Sequence, residues 1–152
     1  MTTSMLIAYD GSDIAEDALR AATALLNAQK VEIITAWEPA ARTTARAVSF
    51  TGSHQPTIAQ EDDPAYDYAL ETCRKGIALA ESLGLSAHAH VVEINSTVGQ
   101  AIVEAAKELN VDVIVSGTRG ISGVRSWFNS STAENVVQNA HCPVFVVPNN
   151  QG

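Results

Sequence analysis

Five short apolar runs, each closed by turn-forming residues, alternate along the chain with longer stretches whose apolar positions recur every three or four residues. Residues 4–9, SMLIAY, form the first run and end at Asp10-Gly11-Ser12, the chemistry of a strand leaving into a tight turn. Asp13, with Glu16 three residues on, offers a capping-box variant to a helix whose stripe is Ala15, Ala18, Leu19, Ala22 and Leu26. Residues 31–37, VEIITAW, predict a second strand, and Tyr66, Ala69, Leu70, Cys73, Ile77 and Ala80 set the stripe of a helix over 66–83. A third strand is predicted over 87–94. Thr97 with Gln100 then opens a helix that buries Val98, Ala101, Ile102, Ala105 and Leu109. Residues 111–117 and 143–147 read as the last two strands, and between them Ser131 and Glu134 cap a helix with Val136, Val137 and Ala140 inward.

Strands alternating with helices, several of the strands almost continuously apolar, require a parallel sheet covered on both faces. The expected fold is therefore α/β, a single doubly wound, Rossmann-like domain over residues 1–152. Residues 38–64 interrupt the alternation. They are rich in Ala, Thr and Pro, show no sustained period, and read as a long surface loop, with a lid or partner-binding segment as the alternative and Arg42 and Arg46 as its cations.

Composition narrows the partners. Apolar residues make up 46% of the chain and charged residues 17%, enough for a buried core. The formal net charge of -8 argues against a protein built to grip nucleic acid, which needs clustered Lys and Arg. No apolar stretch approaches the roughly 20 residues that cross a bilayer, and the N-terminus lacks a basic segment followed by a long apolar one. A cytoplasmic protein with no membrane partner is the expectation. Cys73 and Cys142 form neither a disulfide framework nor a CxxC pair and are read as reduced, buried small hydrophobes. His88 and His90 share one face of the third strand, but with no Cys or acidic residue close in sequence no metal site is assigned.

In open parallel sheets ligands bind beyond the carboxyl ends of the strands. Two features of the sequence fall there. Asp10, directly after the first strand, can accept hydrogen bonds from an adenine amino group or a ribose, or can serve only as a turn carboxylate. Residues 116–135, SGTRGISGVRSWFNSSTAEN, carry Gly117, Gly120 and Gly123, which permit close backbone approach, and end in Ser130, Ser131 and Thr132 at a predicted helix start, where free N–H groups favour an anion. Arg119 and Arg125 add positive charge, while Trp127 and Phe128 read as anchors for the loop. The segment is neither a P-loop, since it contains no lysine, nor a GxGxxG fingerprint. Phosphate cradle and plain connection both remain open on spacing alone. No catalytic constellation is identifiable.

With LIAYDGSD at the start, VEIITAWEP, VDVIVSGTRGISG and the closing STAENVVQNAHCPVFVVP in this order, the chain resembles the universal stress protein family over nearly its full length. The resemblance implies a five-stranded parallel sheet in the order 3-2-1-4-5 and a homodimer through the last strand, 143–147. The nucleotide-binding branch carries Gly, two residues, Gly, nine residues, Gly, then Ser or Thr. Gly117, Thr118, Arg119 and Gly120 match the first part and Ser131 the last, but Ser130 stands where the third glycine belongs. By resemblance the ligand is an adenine nucleotide, ATP with Mg2+ accompanying the phosphates. Asp10 would hold the adenosine, Ala8 and Ala36 would line the base, and Gly117, Arg119, Gly120, Ser130, Ser131 and Thr132 would hold the phosphates. The implied role is a sensor or regulator in a stress response. The alternatives are a dimeric interaction protein of the same fold that has lost the nucleotide and a slow ATP hydrolase.

Overall fold

Strand β1 (Ser4–Ala8), the first apolar run, is the middle member of a parallel sheet. β2 (Lys30–Trp37) pairs along one edge and β4 (Val113–Gly117) along the other, with β3 (Ser86–Glu93) outside β2 and β5 (Val144–Val147) outside β4. The strand order is thus β3-β2-β1-β4-β5. The coordinates, a computed structural model, describe residues 3–38, 63–94, 97–117 and 130–148. Most of the expected loop 38–64, with Arg42 and Arg46, lies outside the described residues.

Four helices among the described residues connect the strands: α1 (Asp13–Leu26), α2 (Pro64–Ser82), α3 (Val98–Leu109) and α4 (Ser130–Asn139). Right-handed crossovers fix their sides. The chain steps from β1 to β2 to β3 in one direction, so α1 and α2 share a face and touch each other. It then crosses back to β4 and β5, which puts α3 and α4 together on the opposite face. Met5, Leu6 and Ile7 of β1 are consequently buried from both sides, against Ala15, Ala18, Leu19 and Ala22 of α1 and Ile102, Val103 and Val136 from the other layer. No helix among the described residues is long and apolar enough to cross a membrane.

Local chemistry sets the element ends, sometimes one or two residues from the expected place. The N-cap of α1 is Ser12, whose hydroxyl accepts from the Ala15 amide at 3.2 Å, not Asp13. Glu16 therefore has no capping-box role and instead accepts from the Tyr9 hydroxyl at 3.4 Å. α2 starts at Pro64 because Asp63 accepts from the Ala65 amide at 2.9 Å and proline suits the first helical turn. Thr97 caps α3 as expected, accepting from the Gln100 amide at 3.1 Å, although the Gln100 side chain turns to Glu104. α4 opens at Ser130, one residue before the expected cap, and Glu134 accepts from Gln138 within the helix. Its inward stripe is Ala133, Val136 and Ala140, which leaves Val137 outward and 54% exposed, contrary to the expected inward position. Asn27 (φ 50) and Asn110 (φ 51) end α1 and α3 in the left-handed region that asparagine tolerates better than most residues.

Helix α2 comes close to the sheet at Gly76. A Cβ there would meet Tyr9 Cδ1 at 3.1 Å and the Ile33 side chain at 3.2 and 3.3 Å. Both neighbours are buried. Gly76→Ala gains about 1 kcal/mol of helix propensity, but overpacking a tight core costs about 1–3 kcal/mol. The expected outcome is a net loss of about 1 kcal/mol in urea unfolding with an unchanged m-value, whereas an equally or more stable variant would show that α2 can lift from the sheet.

Candidate functional site

The sequence-predicted residues of the strands lie at or just beyond their carboxyl ends. Ala8 is the last residue of β1, opposite Ile34, and Asp10 follows two residues on. Ala36 is the penultimate residue of β2, and Gly117 closes β4. This is the point where strand order reverses. The chain leaves β1 for a helix on one face and leaves β4 toward a helix on the other, the topology beyond which open parallel sheets bind ligands.

The turn that carries Asp10 is tightly built. Thr35 Oγ1 donates to the Tyr9 carbonyl at 3.0 Å in a fully buried position, and the Tyr9 amide donates to the Ile34 carbonyl at 2.8 Å. Gly11 turns the chain at φ 80. The Ser12 amide then donates to Asp10 Oδ1 at 2.9 Å, which closes an Asx turn. Asp10 is half-buried, and its second carboxylate oxygen makes no hydrogen bond among the described residues. The turn reading of Asp10 thus holds for one oxygen. Burial and the neighbouring Glu16 carboxylate push the Tyr9 phenol up to about 12, so it stays protonated and donates.

Ala8 and Ala36 are both buried, small walls beneath this turn. Gly117 is buried at the end of β4, preceded by Ser116, whose hydroxyl donates to the Gly117 carbonyl at 3.0 Å. Ser130 is the first residue of α4, so its backbone is helical, a conformation open to any residue. Serine in place of glycine therefore carries no left-handed strain there; what it changes is the space beside the helix start. Thr132 sits half-buried in the first turn of the same helix. Arg119, Gly120, Gly123, Arg125, Trp127 and Phe128 lie outside the described residues, as do the side chains of Ser130 and Ser131.

A groove of about 370 Å³ runs between β3 and α3, over Val92, Ala101 and Ala105. Glu93, Glu104 and Glu108 also line it, and their charge repels a phosphate chain. None of the sequence-predicted site residues lines it.

One cluster escaped the sequence reading altogether. Glu32 of β2, buried, stands opposite His88 of β3 and reaches His90 Nε2 through Oε2 at 2.7 Å, while Lys30 Nζ lies 3.0 Å from Oε1. Burial alone would raise the Glu32 carboxyl, but the hydrogen bonds and charges of His90 and Lys30 outweigh it and hold the group below its ordinary value. The alternating His88 and His90 were visible in sequence; their acidic partner, 58 residues away, was not. Both cysteines are free. Cys73 is buried as expected, Cys142 only partly, and burial pushes both thiols up.

The model of the universal stress protein family matches residues 1–148. The chain is 30% identical to the universal stress protein YxiE of Bacillus subtilis, over 97% of this chain and 99% of that protein. Among solved structures it is similar to a universal stress protein from Archaeoglobus fulgidus in complex with dAMP, at 23% identity and a TM-score of 0.66, covering 95% of this chain and 96% of that one. It is also similar to a universal stress protein in complex with cAMP, at 22% identity and a TM-score of 0.64, over 95% and 96% of the two chains. At such identities the structural likeness carries the fold alone.

Two expectations follow from the geometry. Thr35→Val leaves the buried Tyr9 carbonyl without its side-chain donor and should lower stability by about 1–3 kcal/mol, while Thr35→Ser keeps most of it; equal chemical denaturation curves for Val and Ser would refute the role of the hydroxyl. For Glu32 the folded value is depressed, so its contribution is present above the ordinary carboxylate range and is lost as pH falls through the lower folded value. Glu32→Gln should be less stable than the parent by roughly 1–3 kcal/mol near neutral pH, with the two converging in acid. A gap that stays constant from neutral to acid pH would contradict this assignment.

Proposed function

The chain belongs to the universal stress protein family, and from that premise we propose that it binds an adenine nucleotide, ATP with Mg2+ accompanying the phosphates, as a sensor or regulator in a stress response. The observation that supports this reading is where the residues fall on the strands. Asp10 follows the end of β1, Ala36 lies at the end of β2 and Gly117 closes β4, at the reversal of strand order, and the second Asp10 oxygen makes no hydrogen bond among the described residues. Relatives of the same fold in complex with dAMP and cAMP support an adenine nucleotide as the ligand class.

In this reading the second Asp10 oxygen accepts from the ribose hydroxyls or the adenine amino group. Ala8 and Ala36 form the floor and wall of the base site. Gly117, Arg119 and Gly120 wrap the first phosphates, and Ser130, Ser131 and Thr132 offer hydroxyls and helix-start amides to the rest. The protein acts in the cytoplasm as a homodimer joined through β5, an outer strand whose Val146 is 38% exposed and whose free edge would otherwise invite unspecific pairing.

Ser130 favours a second reading, a dimeric interaction protein of the same fold without nucleotide, because its side chain takes space that a glycine leaves to the phosphates. A titration with labelled ATP separates the two. The expected result is saturable binding that weakens at least about tenfold in Asp10→Ala, the equivalent of one hydrogen bond to a charged group, and tightens in Ser130→Gly. Absence of saturable binding up to millimolar ATP would sink the nucleotide reading in favour of the second.

A further inference from the structure

The groove between β3 and α3 joins an apolar floor to an acidic rim. Val92, Ala101 and Ala105 form the floor, and Glu93, Glu104 and Glu108 stand around it. Ala101, Glu104, Ala105 and Glu108 recur at the spacing of one helix stripe, so this face of α3 runs along the groove for about 10 Å. Its alanines are buried and its glutamates exposed. On the other side β3 is an outer strand, and Val91, Val92 and Glu93 are only half-buried.

Two carboxylates on that stripe have no counterion. Glu104 and Glu108 stand one helical turn apart and form no ion pair among the described residues; Glu104 accepts from the Gln100 side-chain amide at 3.1 Å. Lys107, the nearest cation in sequence, does not line the groove. Like charges at this spacing repel along a helix, and the formal net charge of -8 adds to the local potential. A second copy of the chain brings charge of the same sign and is a poor occupant. A cation is favoured, and the floor selects its kind. Lys and Arg side chains lay an aliphatic stem on apolar surface while the charged head reaches a polar rim. A simple inorganic cation gains nothing from Val92, Ala101 and Ala105.

The groove holds about 370 Å³. A helix with its side chains is about 10 Å across and too bulky to enter, whereas extended chain fits. In extended chain, side chains two residues apart point the same way with a separation of about 7 Å, close to the ~5–6 Å between positions one helical turn apart. We propose that this groove docks an extended basic segment of a partner protein, in which Lys or Arg at alternate positions meet Glu104 and Glu108 and lay their stems over Val92, Ala101 and Ala105. The groove shares no residue with the proposed nucleotide site, so the proposal stands or falls independently of nucleotide binding.

The test is fluorescence anisotropy of a labelled peptide in which Arg alternates with Thr, titrated with the full chain at physiological salt. The expected result is saturable binding of one peptide per chain. It should weaken more than about tenfold in the double variant Glu104→Gln with Glu108→Gln. It should change less than about twofold in Asp17→Asn with Glu81→Gln, which removes the same charge from exposed positions on α1 and α2. A peptide of the same composition with its arginines in one run should bind more weakly. All four substituted side chains are exposed, so both variants keep the fold. Absence of saturable binding up to millimolar peptide would overturn the proposal. So would equal weakening by the two double variants, which would mean attraction to net charge alone, or equal affinity for the two arginine arrangements. A changed sedimentation coefficient of the free protein on replacing Glu104 and Glu108 would assign the groove to a second copy and overturn it as well.

Discussion

β1 must be satisfied in every direction at once: hydrogen bonded along both edges, and packed on both faces by side chains that leave no room for water. Met5, Leu6 and Ile7 meet that demand only because β2 and β4 run parallel to it and helices cover the sheet above and below. Parallel neighbours need crossover connections, and right-handed crossovers send the helices after β1 and β4 to opposite faces. The reversal of strand order, with Asp10 beyond β1 and Gly117 at the end of β4, is therefore a consequence of burying the central strand.

Ending a buried strand raises a second problem, because its last carbonyls and amides leave the ladder while still out of water. Thr35 answers it for the Tyr9 carbonyl, the Ile34 carbonyl for the Tyr9 amide, Asp10 for the Ser12 amide and Ser12 for the Ala15 amide. An unpaired buried polar group costs about 1–3 kcal/mol, so this chain of bonds is as much a folding requirement as the apolar core. It also fixes the direction of Asp10, and in the proposed nucleotide reading a carboxylate already held by one oxygen loses little rotamer freedom when the second accepts a bond.

The apolar periodicity made the strands, helices and their alternation legible in the sequence, since each depends on residues within a few positions of one another. Ala15, Ala18, Leu19 and Ala22 are inward as their spacing requires. Ends were less legible. Ser12 and Asp13 are both good caps, and the choice between them rests on where Gly11 leaves the chain. Val137 was misplaced because three turns of a short helix define its stripe loosely, and Ala133 rather than Val137 completes it. Glu32 was out of reach for a different reason: its partners are set by the β2 and β3 register across 58 residues, which no local pattern encodes. That Asp10 follows β1 and Gly117 closes β4 at the reversal of strand order was legible because the rule for parallel sheets is topological and needs only the order of elements.

The two ends of the sheet solve their electrostatics in opposite ways. At the amino end of β2 a buried carboxylate is surrounded by Lys30, His88 and His90, so charge meets charge across strands. At the carboxyl ends of β1 and β4 the walls are Ala8, Ala36 and Gly117, and the formal net charge of the chain is -8. A polyphosphate approaching that end gains nothing from the long-range field, which screening limits to about 8 Å at physiological ionic strength. In the proposed nucleotide reading, whatever holds it must act at contact: Arg119, backbone amides, the start of α4 and its hydroxyls. Serine rather than glycine at position 130 then bears on the fit of the phosphates, which is what separates the two proposed readings.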